Sequence, residues 1–527
     1  MKNILFITVS AAALAIGAPA VAQTNNSTVN QTGTMNDASV SQGGSNNTAT
    51  VDQDGVGTND ATGKSNTATA VQNGSNSSID LDQTGHNNAT LRQLAGTADS
   101  TMKVSQETVP DNNNGGNATN ATQDGAVNSS LDVTQFGRSQ SVFSEQTGTD
   151  STSLVIQTDP EDPAVAPYTQ ANRAEIRQSG TGADSEIYQY GNFQQAELRQ
   201  DGDSTSFISQ TGTRNAAAVD QSGDGNDSSV IQNGNFNSAG TPNGPSAFTN
   251  NVGVSQTGNN NSSTLLQQGN QADAMITQTG DGNMVDATQG SPNRTTDNQS
   301  LTVVQTGNDN MSRSTQYGSR GTIDLLQQGN ENLSEIDQGG LENTAAQISQ
   351  ISDSSESYIT QSSNFATASV SQAGMDQIST INQTGRANFA NAVVDQSGDS
   401  NTSMIEQFAA APADGGPAAN LDAKVTQSGT GNDSTVSQTN TFGDPADSSN
   451  YAEVNQHGSF GMSSIDQDGH NNDAMLTQYG VGNNSMIMQS GSDLSASVSQ
   501  YSDGNMSTVD QSGTMNSTTV VQGTPSS

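Results

Sequence analysis

Residues 472–491 read NDAMLTQYGVGNNSMIMQSG and contain two copies of one short unit. Aligned on its glutamine, the unit is N-x-[A/S]-x-[V/I/L]-x-Q-x-G. The second copy, residues 483–491, repeats the spacing of the first, residues 472–480, eleven residues later. A regular internal period of this kind dictates the architecture, so the other features of the chain are interpreted around it.

The same unit recurs from one end of the chain to the other. Its longest unbroken run of glutamines, at intervals of eleven residues, is Gln456, Gln467, Gln478, Gln489, Gln500, Gln511 and Gln522. Further residues at the same polar offsets are Asn36, Gln42, Asn47, Gln53, Ser77, Gln83, Gln93, Asn215, Gln221, Asn226, Gln232, Asn472, Asn483, Asn505 and Asn516. The glycines that follow them are Gly44, Gly55, Gly85, Gly223, Gly234, Gly469, Gly480, Gly491 and Gly513.

Each unit predicts one β-strand followed by one turn. Alternation with period two is typical of a strand, and glycine is the residue that most easily adopts the positive φ of a tight turn. Because every strand starts on the same face, the aliphatic residues of all units can point into one interior. We therefore predict an all-β protein, a β-solenoid (β-helix) of about twenty two-strand turns. Like residues stack on like, in an amyloid-like manner, and the inward amides form ladders.

Irregular stretches interrupt the repeat at several places. Ten of the twelve prolines lie in such breaks and none lies in a strand motif, as expected if the units are strands. We predict one solenoid over residues 23–527, with Pro/Gly-rich insertions near 94–116, 158–168, 235–250, 290–300, 408–420 and 440–450. The alternative is a set of short columns joined by linkers.

Composition and charge exclude several classes of protein. Hydrophobic residues make up 29% of the chain and tryptophan is absent, too little for conventional globular cores. Removal of residues 1–22 leaves 13 basic and 53 acidic residues, a net charge of −40, which excludes ordinary nucleic-acid binding. Acids recur beside the glutamine, at Asp52, Asp82, Asp220, Asp337, Asp395, Asp466 and Asp510. They form either a solvated face or a set of gatekeepers that restrain premature association until protons or divalent cations relieve the repulsion.

The first 22 residues differ from the rest of the chain. Lys2 precedes an apolar stretch at 4–16, and Ala20-Val21-Ala22 precedes Gln23, as in a cleavable secretory signal. The apolar stretch is short for a membrane span, and we expect no other span. The chain has no cysteine, so no disulfide framework supports the exported protein.

The repeat resembles the curlin repeat of bacterial curli fibre subunits. The resemblance is carried by Ser77, Ile79, Leu81, Gln83, Gly85, Asn88, Ala89, Leu91 and Gln93, where one residue is missing before Gln93, and it extends over nearly the whole mature chain. It implies a secreted, self-associating subunit of extracellular amyloid fibres that support biofilm, cell aggregation and surface adhesion. It also implies a nucleating subunit and an outer-membrane exporter as partners.

Other functions receive less support from the residues. His86, His457 and His470 fall at predicted turns, and we expect no catalytic, cofactor or metal site and no enzyme. Gly223-x-Gly225-x-Asp227 and Gly429-x-Gly431-x-Asp433 partly match calcium-binding β-rolls, but the period is eleven rather than nine. The rival hypothesis is a monomeric β-solenoid adhesin, or a calcium-influenced cell-surface binding protein. The repeats start near the mature N-terminus and stop at Gln522, so we expect uncapped ends that favour polymerisation.

Overall fold

The computed structural model describes residues 24–33, 36–55, 66–108, 116–158, 171–240, 253–290, 298–340, 344–385, 389–409, 420–440 and 449–524. Throughout these ranges the chain is all-β, and its strands form two parallel sheets, A and B. No helix suited to crossing a membrane occurs in the described part of the chain.

The strands alternate between the two sheets for most of the chain. In chain order they are β1 (Asn26–Thr32), β2 (Asp37–Gln42), β3 (Thr48–Asp54), β4 (Thr67–Gln72), β5 (Ser78–Thr84), β6 (Asn88–Gln93), β7 (Thr101–Glu107), β8 (Ala118–Gln123), β9 (Ser130–Phe136), β10 (Ser141–Gln146), β11 (Thr152–Thr158), β12 (Arg173–Gln178), β13 (Asp184–Asn192), β14 (Gln195–Asp201), β15 (Thr205–Thr213), β16 (Ala216–Ser222), β17 (Asp227–Asn235), β18 (Ser238–Ala239), β19 (Val254–Thr257), β20 (Ser262–Asn270), β21 (Asp273–Thr279), β22 (Met284–Gln289), β23 (Ser300–Thr306), β24 (Met311–Gln316), β25 (Thr322–Gln328), β26 (Leu333–Gln338), β27 (Ala345–Asp353), β28 (Glu356–Gln361), β29 (Thr367–Met375), β30 (Ile378–Gly385), β31 (Asn391–Asp399), β32 (Thr402–Ala409), β33 (Asn420–Thr430), β34 (Asp433–Asn440), β35 (Ser449–Gln456), β36 (Met462–His470), β37 (Asp473–Gln478), β38 (Asn484–Ser492), β39 (Ser495–Gln500), β40 (Met506–Thr514) and β41 (Ser517–Gln522).

Strand pairing makes the chain a β-solenoid. Each strand pairs in parallel with the strand one coil further on, so that β38 pairs with β40 and β39 with β41. Ile487 then lies beside Val509, and Gln489 beside Gln511. The register survives the interruptions, because β11 and β13 align Gln157 with Gln189 across residues 159–170. The predicted solenoid is therefore confirmed, and it is one column rather than several.

The column has about twenty levels, as predicted. Sheet A contributes twenty strands, from β1 to β40. In sheet B, β18 and β19 share one level, because both lie between β16 and β21. The two strands are the halves of a single rung that residues 240–253 interrupt.

A thin apolar core lies between the sheets. The inward residues of each strand alternate with outward polar residues, as in β5, where Ile79, Leu81 and Gln83 are buried while Asp80 and Asp82 are exposed. The aliphatic side chains form one continuous cluster that runs along the column from Val51 to Val509. Stacking, rather than any single unit, therefore supplies the burial that stabilises each strand.

The two edges of the column differ. We call the corners that lead from sheet A to sheet B the insertion edge, and those that lead from sheet B to sheet A the smooth edge. All but one of the internal segments outside the described ranges connect sheet A to sheet B, and residues 241–252 are the exception. Every corner of the smooth edge is short and described. With that one exception, the segments that lengthen the chain join strands across the insertion edge.

Four of the six predicted insertions, 158–168, 290–300, 408–420 and 440–450, connect a strand of sheet A to a strand of sheet B. Region 94–116 nevertheless contains a regular strand, β7, with Met102, Val104 and Gln106 buried. Its regularity is hidden in the sequence because Thr108 replaces the usual glycine after Gln106. Region 235–250 contains β18. Most of 158–168, 290–300, 408–420 and 440–450, and the predicted signal at 1–22, lie outside the described residues.

This asymmetry predicts how the column tolerates added chain. An insert of about eight Gly/Ser residues between Asn308 and Asp309, on the smooth edge, should lower stability by about 3 kcal/mol. The insert would disrupt three hydrogen bonds made by the two residues that flank it. These bonds are Asp281 N–H to Asn308 Oδ1, Asn308 N–H to Asn330 Oδ1, and Asp309 N–H to Asp281 C=O. Thermal unfolding followed by circular dichroism measures the effect.

The control places the same insert within 410–419, on the insertion edge, where it should leave the unfolding midpoint unchanged. The entropic cost of closing a loop grows slowly with its length, so lengthening a connection that is already long changes the free energy of folding little. Equal losses at the two sites would contradict the distinction between the edges.

Candidate functional site: the amide ladders and the end faces of the column

Buried glutamines form a continuous ladder along each sheet. In sheet A, Gln31 Nε2 donates to Gln53 Oε1 at 2.7 Å, and Gln53 Nε2 donates to Gln83 Oε1 at 2.9 Å. In sheet B, Gln42 Nε2 donates to Gln72 Oε1 at 2.8 Å. The same direction of donation, from each level to the next along the chain, holds through Gln489 to Gln511 and Gln500 to Gln522.

Each glutamine also reaches across the core to the other sheet. Gln327 is fully buried, and its Nε2 donates to Gln350 Oε1 at 2.9 Å and to the Met311 carbonyl of sheet A at 3.1 Å. The same amide contacts the Asn332 carbonyl and Ser334 Oγ, and Gln327 Oε1 accepts from Gln305 Nε2 at 2.8 Å. One amide thus joins three successive levels and both sheets.

The structure places the predicted glutamines in these ladders. Those with a donor bond to the next glutamine are Gln42, Gln53, Gln83, Gln93, Gln221, Gln232, Gln456, Gln467, Gln478 and Gln489. At the last level, Gln511 donates to the Ser495 carbonyl and Thr518 Oγ1, and Gln522 donates to the Met506 carbonyl.

The predicted asparagines hold the corners. Asn226 Nδ2 donates to the Ser222 carbonyl of its own corner at 3.2 Å and to Gly258 of the next level at 2.8 Å. Its Oδ1 accepts the Asn261 N–H. Equivalent corner bonds are made by Asn36, Asn47, Asn215, Asn472, Asn483, Asn505 and Asn516, and Ser77 Oγ donates to the Ser75 carbonyl. Each corner is therefore tied to its own turn, and in the interior also to the next level.

One assignment near Ser77 was wrong. Asn88 occupies an exposed position in β6, whereas its neighbour Asn87 is buried and donates to the Thr84 carbonyl at 2.8 Å. This corner is one residue shorter than the usual one, so the inward position falls on Asn87. The missing residue before Gln93 is thus a deletion in the turn and not in the strand.

Many corners place two residues at positive φ, and the sequence predicted only the first. Among the predicted glycines, Gly491 has a φ of 143°, and a Cβ there would lie 1.9 Å from the Gly513 carbonyl oxygen. Gly44, Gly85, Gly223, Gly234, Gly469, Gly480 and Gly513 also have positive φ, and the Gly55 N–H donates to the Thr32 carbonyl. The second residue directly precedes the inward asparagine and is often not glycine, as at Phe236 with φ of 59°.

A third ladder runs along the smooth edge. Over consecutive levels, each side-chain Oδ1 accepts the backbone N–H of the residue one level before it. Each member lies three residues after an inward glutamine. The members are Asp203, Asp224, Asn259, Asp281, Asn308, Asn330 and Asp353. Alternation of Asp and Asn between Asp224 and Asn308 keeps most carboxylates from stacking directly on one another.

Outward acids stack elsewhere without a counter-charge. Asp52 of β3 lies beside Asp82 of β5, and Asp80 and Asp54 are close by. Partial loss of solvation beside the stacked strands, followed by repulsion from these three carboxylates, raises the pKa of Asp82 above its ordinary value of 3.8. On the other side Asp82 lies beside Ser105, while Lys103 lies beside Asp80 and 4.0 Å from Asp132. Of the other predicted acids, Asp220 is half-buried and Asp337, Asp395, Asp466 and Asp510 are exposed.

The described column is open at both ends. Every residue of β1 is exposed, and β2 alternates between exposed and half-buried residues. At the other end, β41 shows the same alternation, and Met506 and Met515 are 74% and 81% exposed. The terminal levels therefore carry the inward side chains of a stack without a further layer of described residues above them.

The remaining candidate groups are dispersed. His457 stacks on Tyr479 with ring centroids 5.0 Å apart and contacts Ser428 Oγ, whereas His86 and His470 lie in other corners. Among the described residues, no three His, Asp or Glu side chains gather in an arrangement suited to a metal ion. In the two calcium-like motifs, Gly225 and Gly431 have positive φ, and Asp227 accepts a hydrogen bond from Thr205.

The repeat matches a known family. The profile of the curlin associated repeat matches residues 24–55, 203–234 and 469–501. These segments cover β1 to β3, β15 to β17 and β37 to β39, and they include ladder residues at both ends and in the middle of the column. No curated protein matches the chain significantly.

The ladder geometry predicts a position-specific effect of removing one amide. Gln327→Leu should lower stability by about 3–5 kcal/mol, because it leaves the donors and acceptors of both neighbouring levels without partners in a dry core. Thermal unfolding gives the midpoint, and hydrogen exchange should show the loss concentrated in β23, β25 and β27.

The adjacent glutamine supplies the control. Gln328 is exposed on the outer face of the same strand, so Gln328→Leu should change stability by less than about 0.5 kcal/mol. If the two variants were equally stable, the inward ladder would not support the column.

The acid row predicts a stability that depends on pH. Since the folded pKa of Asp82 is raised, its stabilising contribution is complete below the unfolded pKa and is lost as pH rises through the folded value. Asp82→Asn should therefore raise the unfolding midpoint at pH 7 and leave it unchanged near pH ~3, where the carboxyl is protonated in both states.

Asp132→Asn is the matched control, because it removes the same charge from a residue that faces Lys103. It should give no gain at pH 7. An equal gain from both substitutions would mean that net charge, rather than the stacked row, sets the pH dependence.

Proposed function

Because this chain is a curlin-repeat protein, we propose that it is a secreted structural subunit that self-assembles into curli-like extracellular amyloid fibres. These fibres would contribute to biofilm matrix, cell aggregation and surface adhesion. The observation that carries the proposal is the pair of open end faces on a column of stacked parallel strands. An uncovered strand at the end of a sheet is a template for another chain.

The ladders support assembly in particular. Inside the column, each added level gains a parallel strand pair, an aliphatic contact and glutamine bonds of 2.7–3.1 Å. A second copy placed on an end face would gain the same contacts, because the inward residues of the end levels are of the same types. The stacking that stabilises one molecule therefore also favours a polymer.

The proposal includes export. Residues 1–22 have the charge and apolar pattern of a secretory signal, and the repeat unit begins shortly after them. A nucleating subunit and an outer-membrane exporter are the partners that such a pathway would require. The charge of the mature chain would keep monomers apart during export, and the stacked acids make mild acidity the condition that favours assembly.

Purified residues 23–527 should form unbranched fibres under mildly acidic conditions. Oriented fibres should diffract at ~4.7 Å along the axis and ~10 Å across it, the spacings of strands and sheets. Electron microscopy and fibre diffraction are the measurements. Monomers that persist at high concentration and mild acidity would contradict the proposal and favour the monomeric adhesin.

Export has its own test in the producing cell. The full chain should give fibres outside the cell, while a chain that lacks residues 1–22 should remain inside. Fibres that form outside the cell without these residues would contradict the assignment of the signal.

A further inference from the structure

The first and last levels of the column resemble each other closely. Residues 27–43 read STVNQTGTMNDASVSQG, and residues 507–523 read STVDQSGTMNSTTVVQG. They are identical at eleven of seventeen positions, and Gly-Thr-Met-Asn occurs nowhere else in the chain. These segments form the first and last levels of the described column, so they do not contact each other within one molecule.

Physical neighbours within the column are less alike. Residues 485–501, the level in direct contact with 507–523, match that segment at seven of seventeen positions. The shared positions are mostly the repeat consensus. The last level therefore fits a copy of the first level better than it fits the level on which it lies, as judged by like-on-like stacking.

The hydrogen bonds give the end faces opposite character. Within each ladder, glutamine Nε2 donates to the glutamine of the next level towards the C-terminal end, so the Oε1 atoms of Gln31 and Gln42 at the first level receive no ladder bond and are acceptors for a further amide. At the last level, Gln522 Nε2 donates to the Met506 carbonyl, and Gln511 Nε2 donates to the Ser495 carbonyl and Thr518 Oγ1. Interior amides such as Gln327 make bonds of these kinds together with a ladder bond, so both terminal amides can also donate to a glutamine Oε1 placed above them.

The corner hydrogen bonds run in the direction opposite to that of the glutamine ladders. The backbone N–H of each level donates to an asparagine Oδ1 of the level before it, as Asn47 does to Asn25 and Asn505 to Asn483. The Oδ1 atoms of Asn505 and Asn516 are thus acceptors at the last face, opposite the N–H groups of Asn25 and Asn36 in a second copy. Two identical faces would instead place acceptors against acceptors.

Charge also fits this pairing. In the interior, Asp52 and Asp82 are stacked on each other. At a junction that aligns 507 with 27, Asp510 would meet Asn30, and Asp37 would meet Ser517. The junction therefore stacks no like charges at these two positions.

We propose that the face formed by β40 and β41 docks in register on β1 and β2 of a second copy of this chain. Val509 then covers Val29, Gln511 covers Gln31, Val520 covers Val40 and Gln522 covers Gln42. All glutamine ladders continue through the junction with one direction. Such a head-to-tail contact does not close on itself, so it produces a polar filament with different ends. This inference rests on the proposed function and adds the identity and polarity of the contact.

Two blocked variants test the junction. Val29→Lys with Val40→Lys places charges among the inward rows of the first level, and Val509→Lys with Val520→Lys does so at the last level. Each variant alone should stay monomeric, because every head-to-tail contact needs both faces. An equimolar mixture should form heterodimers and no larger species, as measured by mass photometry under the assembly conditions.

Controls separate the possible failures. Thr28→Lys with Ser39→Lys changes outward residues of the same level and should assemble like the unmodified protein. Since charged end strands can detach and expose β3 or β38, a second pair of proteins carries a folded domain fused directly before residue 24 or after residue 524. The fusion pair should repeat the result of the substitutions.

Each outcome is decisive. Homodimers of one blocked variant, in both designs, would overturn the polarity and indicate contact between identical faces. Unmodified fibres combined with no heterodimer in either mixture would place the contact elsewhere on the column. Unmodified protein that stays monomeric would refute the proposed function itself, which distinguishes that failure from failure of the junction.

Discussion

The inward glutamine amide is the interaction on which the column depends. Its side chain has one acceptor and two N–H groups, and the structure uses them in two directions. Bonds such as Gln327 to Gln350 run along the column, and bonds such as Gln327 to the Met311 carbonyl cross the core. Asparagine is one methylene shorter, and glutamate lacks the donors. Glutamine is thus suited to fixing register and sheet separation together.

This constraint explains why a chain poor in hydrophobic residues folds. Most strands contribute only one or two aliphatic side chains to the core, as Ala49 and Val51 do in β3. Such a core is too thin to define a register by shape, since a slip by two residues would still bury apolar groups. A slip would, however, break every amide bond in the ladder. Register is therefore specified by the polar rows, while the stacked aliphatic rows and the amide bonds together supply stability.

The sequence predicted the features that recur in every unit. It missed features that depend on the local corner or on which sheet a strand joins. Alternation around Gln478 and Gln489 gave the strands, the inward faces and the solenoid, because these follow from a period of two. The positive φ at Phe236 was hidden, since the corner imposes that conformation on whichever residue precedes the inward asparagine. The strand β7 was hidden because Thr108 replaces the glycine. The insertion edge was invisible because it requires assigning each strand to its sheet.

Interior levels can depart from the repeat in a way that a junction between molecules cannot. Ser312 and Ser314 replace both aliphatic residues of β24, and their buried hydroxyl groups have no hydrogen-bond partner. The level persists because the chain connects it covalently to its neighbours, which gives the strand a high effective concentration at its site. Two separate molecules have no such connection, so their contact must be favourable by itself. This difference accounts for the chain's use of its least regular levels inside the column and of closely matched levels at its two ends.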